Sequence, residues 1–341
     1  MIYEFFSGSY AEVGEDGISK FRLDTDAGTL TKVFSYQGIK NPSYIRFNAD
    51  KSVLYAVQEE TPTGAIHALH IDGDTLTPVG TLSTDGADPC YISLTKDEKA
   101  LLVANYTSGS LAVYRLDEKG TPVERCEMIV HGGRGTHPTR QEAPHIHCAM
   151  ERNGQAFVVD LGLDTVFIYD INSGKLTKSP MSLMCPPGSG PRHIAAHPKK
   201  TDTIYVIYEL SNMVGVYKDE GERYVLTQLE STLPGHFEGE NTAAAIKVKD
   251  SMLFASNRGH DSIAVYRIKK NGVLEPVEIV SSVGNGPRDF ELLGDYMVVA
   301  NQYSSTINVL KVNRDEHSLG SVLEDTGISC STPHPCCIQS Y

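Results

Sequence analysis

The sequence contains no tryptophan, so the Trp-Asp dipeptide that marks one large class of repeat scaffolds is absent. It has no excess of basic residues either: 30 Lys and Arg stand against 43 Asp and Glu, a formal net charge of −13. Phosphate backbones and anionic lipid surfaces select for basic faces, so this balance speaks against nucleic-acid and membrane partners. No stretch nears the roughly 20 apolar residues that span a bilayer, and no run of like charges is long enough to act as a tail. The first residues, Met1-Ile2-Tyr3-Glu4-Phe5-Phe6, lack the basic start and the length of a secretory signal.

The seven cysteines include no C-x-x-C pair, their number is odd, and Cys90 and Cys148 fall inside apolar segments. They read as reduced core residues of an intracellular protein, and the expected location is the cytoplasm. Adjacent Cys336 and Cys337 invite a metal reading, but buried thiols are the commoner case. No G-x-S-x-G nucleophile elbow occurs. Gly132-Gly133-Arg134-Gly135 has no strand–helix context to make it a phosphate loop.

What is present is a repeat. One unit runs from a Pro-ended turn into a short apolar strand, a polar turn, a second apolar strand, a third strand ending in an aromatic, and a Gly-containing turn. Pro89-Cys90-Tyr91-Ile92, Leu101-Leu102-Val103-Ala104-Asn105 and Leu111-Ala112-Val113-Tyr114 make one copy. Pro191-Arg192-His193-Ile194, Ile204-Tyr205-Val206-Ile207-Tyr208 and Val214-Gly215-Val216-Tyr217 make another. The anchors Pro42, Pro89, Pro144, Pro191, Pro287 and Pro335 lie mostly about 47 or 48 residues apart, with a double step across a copy that has lost its Pro at Ala243-Ala244. Short Val-, Ile- and Tyr-rich runs bounded by Gly, Asn and Asp, at that period, fit the four-stranded blades of a β-propeller rather than helical repeats.

The ends complete the count. The N-terminus begins late in a unit, and Pro335-Cys336-Cys337-Ile338 supplies the missing inner strand. Six full copies and one shared copy predict an all-β, seven-bladed propeller of four-stranded antiparallel blades, one domain over residues 1–341, closed by the C-terminal strand joining the N-terminal blade. Closure of this kind leaves no long unpaired edge. The long spacing from Pro89 to Pro144 places extra residues in the polar loop His131–Arg140, which carries Arg134, His137 and Arg140.

In such a ring the first strand of each blade lines the channel, and the turn after the second strand opens at the same end. Aligned copies place Ser43, Cys90, His145, Arg192, Ala244, Arg288 and Cys336 at one level. Asn105, Asp160, Tyr208, Asn257 and Asn301 end the second strands, followed by Tyr106, Leu161, Glu209, Arg258 and Gln302. The ionisable members come from neighbouring blades and would meet at one mouth. His145 and His147, two apart on a strand, share a face; they offer a general base with a helper, a metal pair, or a hydrogen-bonded strand start. No third His or Cys is placed to complete zinc, and no oxygen-rich loop supports calcium on Asp160 and Glu209, so neither metal nor cofactor is expected.

Arg192 and Arg258 are forks for a carboxylate, a phosphate or a developing oxyanion, or else a blade-to-blade ion pair. Glu209 orients them or acts as acid or base. Arg288 either pairs with adjacent Asp289 or contacts ligand. Arg140, Arg288, Tyr106, Asn257 and Gln302 are the candidate substrate contacts. His193 and His197, on the opposite phase, and His260 read as structural.

Three stretches carry a family resemblance: Arg140-Gln141-Glu142-Ala143-Pro144-His145-Ile146-His147, Gly190-Pro191-Arg192-His193-Ile194-Ala195-Ala196-His197-Pro198, and Asn257-Arg258-Gly259-His260-Asp261-Ser262-Ile263. Together they resemble the lactonase family of seven-bladed propellers, which includes bacterial 6-phosphogluconolactonase and fungal carboxymuconate cycloisomerase, and the resemblance spans essentially the whole chain. It implies a metal-independent site of one His, one Glu and two Arg, falling on His145 or His147, Arg192, Glu209 and Arg258. The implied activity is hydrolysis of an anionic sugar lactone, with 6-phosphogluconolactone of the pentose phosphate pathway first. The alternatives are a lactonising cycloisomerase and a non-catalytic propeller platform. A monomer or weak homodimer is expected.

Overall fold

The structure is a computed structural model that describes residues 1–172, 175–313 and 321–341. Among the described residues, seven four-stranded antiparallel sheets follow one another around a ring. The inner strands are Ile45–Phe47, Pro89–Leu94, Ile146–Arg152, Pro191–Ala196, Thr242–Lys249, Pro287–Leu293 and Pro335–Ser340. The last of these pairs with Ile2–Ser9, with Phe5 opposite Ser340 and Gly8 opposite Cys337, so tail and head share one blade as the repeat count predicts.

The blades adhere through apolar faces on both sides. Tyr205, Val214 and Val216 of one blade pack on Leu253, Ala264 and Tyr266 of the next. Phe5, Phe21 and Ile338 of the shared blade pack on Val298 and Ile307. The aromatic that ends the third strand has a definite task. Tyr114 Oη donates to Ser83 O at 2.6 Å, Tyr217 Oη to Met184 O at 2.9 Å and Tyr266 Oη to Ser231 O at 2.5 Å. Each ring fills the seam between blades while its hydroxyl satisfies the end of the neighbouring blade's outer strand, as a buried Tyr requires.

The buried amides that end the second strands are committed in the same way. Asn257 donates to Thr232 O at 2.7 Å and to Ser262 Oγ, and accepts from Thr232 Oγ1 and Asn241 Nδ2. Asn301 donates to Ser282 O. Asn257, expected among the substrate contacts, is thus fully buried with its amide engaged by protein groups.

The inner strands contain a repeated irregularity that sets the site. Pairing with the second strand skips one residue in blade after blade: Cys90, His147, Arg192, Arg288 and Cys336 are left between paired neighbours. A β-bulge of this kind re-aims side chains and bends the strand. In the third repeat the skipped residue is His147, because Ile146, not Pro144, takes the place of Pro191 in the pairing. The expectation that His145 occupies the common level is thus corrected: His147 does, and His145 lies before the strand begins.

Candidate active site

The skipped residues meet on the axis. Ser43, Cys90, His147, Arg192, Arg288 and Cys336 line one cavity, joined by Glu59, His193 and Asp289. Its volume is about 20 Å³, room for a single water. The bulge sends two successive side chains inward, which is why His193, expected on the opposite phase, faces the cavity beside Arg192. Below it the channel is filled by rings: His193 meets Tyr91 at 5.3 Å between centroids, and Tyr91 lies on Tyr44 at 4.4 Å. The much larger hollow of about 810 Å³, lined by exposed Lys96, Asp97, Lys99 and Arg115, belongs to turns at the opposite end of the blades and lacks buried charge.

Around the open end of the cavity stands the second ring, the residues that follow the second strands. Glu209 is its centre. Its Oε2 lies 3.0 Å from Arg192 Nε and 3.0 Å from Arg258 Nη2, and its Oε1 accepts from Arg140 Nη2 at 2.6 Å. Arg192, Glu209 and Arg258 are 3%, 4% and 8% exposed, so all three are held away from bulk water. Burial alone would raise the Glu209 carboxyl, but Arg258, Arg192 and Arg140 more than offset it and bring it down to about 2. Burial, with Arg258 close by, lowers the Arg192 guanidinium to about 10.

The Nε–H groups of Arg192 and Arg258 have no hydrogen-bond acceptor among the described residues. For Arg192 the 3.0 Å approach to Glu209 is an ion pair by distance, with the N–H directed off the line to the oxygen. Arg192 Nη1 donates to Ala244 O at 2.8 Å, and Arg258 Nη2 lies 3.3 Å from Ala243 O, which fixes both planes on the degenerate blade. Gly259 follows Arg258 with φ of 121°, and a Cβ there would strike Glu240 O, so only glycine lets the chain turn away directly behind this fork.

Arg140 arrives from the loop 131–143. Buried Gln141 pins the loop: its Nε2 donates to Leu161 O at 2.8 Å and to Asp164 Oδ1 at 2.7 Å, and its Oε1 accepts from the backbone of Thr136 and His137. His137 Nδ1 accepts from Arg140 N, so it shapes the loop rather than the mouth. Arg134 is exposed. Asp160 is engaged by His131 Nδ1 at 2.6 Å and by the backbone of His145 and Leu163. His260 and His197 have local partners, Ser262 Oγ for the first and the backbone of Lys199 and Lys200 for the second, as expected.

Tyr106 forms the wall between the histidines. Its ring stacks on His145 at 4.5 Å and meets His147 edge-on at 5.6 Å, and its hydroxyl accepts from Arg140 at 3.3 Å. Both ring nitrogens of His145 face oxygens, Tyr106 O and Glu142 Oε1, each at 3.2 Å. His147 is deeper. Burial, then the guanidinium groups of Arg192, Arg288 and Arg258, depress its imidazolium well below the usual range, and burial with Arg192 and His147 does the same to His193.

Neutral histidines of this kind have a consequence for stability. Below about pH 6.5 the unfolded chain takes up protons that the folded ring refuses, so stability falls as the pH drops toward 5, by up to about 1.4 kcal/mol per pH unit for His147. The carboxyl of Glu59 works with the opposite sign, since burial raises it. Thermal unfolding of wild type and His147→Asn between pH 7.5 and 5 isolates the imidazole: the wild-type melting temperature should fall more steeply. Parallel curves would show that His147 takes its proton in the fold.

Across the cavity from Glu209 lies a second charged group. Arg288 Nη2 donates to Tyr10 Oη at 3.0 Å and Nη1 to Gln302 Oε1 at 3.3 Å. Tyr10 Oη in turn donates to Glu59 Oε1 at 2.8 Å, and Ser43 Oγ donates to Glu59 Oε2. Asp289 does not pair with Arg288; it accepts from Ile338 N at 2.8 Å and meets Lys247 at 3.3 Å. Glu59 and Tyr10 were absent from the aligned copies. Extending the second-strand alignment to Val53–Gln58 and Ile2–Ser9 reaches both, since each is the next residue in the chain.

The family profile described as "Lactonase, 7-bladed beta-propeller" matches residues 4–340. A 6-phosphogluconolactonase of Bacillus subtilis is 34% identical over 348 aligned positions, 99% of this chain and 98% of that one. A periplasmic gluconolactonase of Pseudomonas aeruginosa superposes with a TM-score of 0.90 at 27% identity, over 100% of this chain and 99% of the other. A protein from Lactobacillus plantarum does so with a TM-score of 0.91 at 28% identity, over 100% of both.

Proposed function

The chain belongs to the lactonase family of seven-bladed β-propellers, and from that membership we propose that it hydrolyses a sugar lactone, 6-phosphogluconolactone to 6-phosphogluconate. The observation that carries this reading is the charge at the mouth. Four guanidinium groups, Arg140, Arg192, Arg258 and Arg288, stand against the carboxylates of Glu59 and Glu209, while Asp289 of the cavity wall is met by Lys247. The excess is positive inside a protein of net charge −13, and it suits an anionic substrate in a partly dry site.

In this reading the lactone carbonyl lies over Arg192 and Arg258, whose free Nε–H groups receive the negative charge of the tetrahedral intermediate. Glu209 holds both forks in place and does not take part in proton transfer, since three cations keep it ionised. Arg140, the most exposed of the four, grips the 6-phosphate, with Tyr106 as the apolar wall for the sugar ring. The clustered charge speaks against a plain binding platform, which would present an apolar patch instead.

Acid release in a pH-stat from freshly prepared 6-phosphogluconolactone, run beside glucono-δ-lactone, tests the reading. The phosphorylated substrate should have the higher kcat/KM by about 10–100-fold, the value of one or two charge-assisted hydrogen bonds. Equal values would remove the phosphate. No acceleration of either substrate would remove lactone hydrolysis.

A further inference from the structure

Of the cavity-lining groups able to accept a proton, His193 lies against Tyr91 and Asp289 is engaged by Ile338 N and Lys247, which leaves His147 and Glu59, and the fold treats these two oppositely. His147 is hemmed in by Arg192, Arg288 and Arg258, so adding a positive charge there opposes three others. Glu59 is on the far wall, where an added proton removes a partly buried negative charge. We propose that Glu59 is the proton-transfer group of the hydrolysis, taking a proton from a water seated in the axial cavity and returning it to the departing ring oxygen. This assignment rests on the lactonase reading above.

Glu59 is held as such a group must be. Its backbone N–H donates to Asn41 O at 3.1 Å, and its carbonyl accepts from Asn41 Nδ2 at 3.3 Å. Tyr10 and Ser43 each donate to one carboxylate oxygen, which fixes the plane and leaves further lone pairs open, since a carboxylate offers about four acceptor sites. Arg288 reaches it only through the Tyr10 hydroxyl. This differs from Glu209, where three guanidinium groups contact the oxygens themselves.

The charges that face Glu59 from the surrounding strands are Arg288 and, opposing it, Asp88; the Cys90 and Cys336 thiols face it too, and burial pushes both up, so they remain neutral. Burial raises the Glu59 carboxyl against the pull of Arg288 and its two hydroxyl donors. Two carboxylates pushed apart in this way have separate tasks: the lowered one stays a fixed charge and the raised one is the better suited to exchange a proton.

The step balances. The water oxygen bonds to the lactone carbonyl carbon as its proton passes to Glu59, and the carbonyl electron pair moves onto the oxygen beside Arg192 and Arg258. Collapse breaks the bond from that carbon to the ring oxygen, which takes the proton from Glu59 and leaves as an alcohol. The product acid then ionises, and Glu59 is again a carboxylate.

The test is Glu59→Gln and Glu59→Asp beside wild type and His147→Asn, with kcat and KM measured from pH 5 to 9 and folding checked by thermal unfolding. Glu59→Gln, which keeps the shape of the carboxylate and one accepting oxygen, should lower kcat by about 10²–10⁴-fold with KM little changed, and should lose the acidic limb of the rate profile. Glu59→Asp should recover part of the rate and the limb. If Glu59→Gln keeps kcat within a few-fold and His147→Asn abolishes the limb instead, the assignment is overturned while lactone hydrolysis stands. Wild-type protein inactive on every lactone tried would remove both together.

Discussion

Replacing Arg258 with Ala should lower kcat/KM for the lactone by about 10²–10³-fold, the usual cost of losing one oxyanion donor, while the ring stays folded. The fold survives because Glu209 keeps Arg192 at 3.0 Å and Arg140 at 2.6 Å. The rate does not, because Arg258 supplies one of the two buried Nε–H groups that have no acceptor among the described residues. A donor already desolvated and fixed by Ala243 O and Glu209 needs no reorganisation when charge develops beside it. Arg192→Ala should behave alike. Arg258→Lys should recover little, since an ammonium restores charge but not the planar fork. Separate kcat and KM values with a melting curve for each variant decide the matter: a folded Arg258→Ala protein of near wild-type rate would remove the oxyanion role.

The second large effect is on stability. Glu209→Ala should destabilise the protein by about 3–5 kcal/mol, the scale on which a buried ion pair is missed when one partner is removed. The carboxylate touches three guanidinium groups, and two of them, Arg192 and Arg258, are buried. Without it those charges repel one another out of reach of water. Two controls separate charge from packing. Glu209→Gln should show most of the loss with the shape retained. Adding Arg258→Met to Glu209→Gln should recover part of it, because one of the uncompensated charges is then gone. The comparison is the urea midpoint at unchanged slope.

The linkage follows from the lowered carboxyl. Glu209 contributes its stabilisation above the ordinary carboxylate range, and this is lost as pH falls from about 4.5 through about 2. Wild type should therefore approach Glu209→Gln in stability at the acid end of that window.

How far the site could be read in advance differs residue by residue. Arg192, Glu209 and Arg258 were legible because each interrupts an apolar repeat with a charge at a shared position. Glu59 and Tyr10 hold the same position in the first and shared blades, yet neither follows the Asn or Tyr that flags the end of the second strand elsewhere. The partners of Asn257 are not legible in the sequence, because its place in the repeat says where the backbone is, not which way the amide turns. Gln141 carries no repeat signal at all; its role is visible only once Leu161 and Asp164 are beside it.

The sequence by itself determined the ring: the period, the strand lengths, the seven blades and the closure by the tail all follow from apolar patterning and turn residues, which are local properties. Only the tertiary structure decided which side chains face the axis and what charge they hold. In the third repeat the inner strand starts two residues late, at Ile146, which exchanges His145 for His147, and the bulge turns His193 inward. The charge state of a carboxylate depends on how many guanidinium groups other blades bring within about 3 Å, a sum over distant segments. That sum separates Glu209 from Glu59, although both are glutamates one residue past the second strand of a blade.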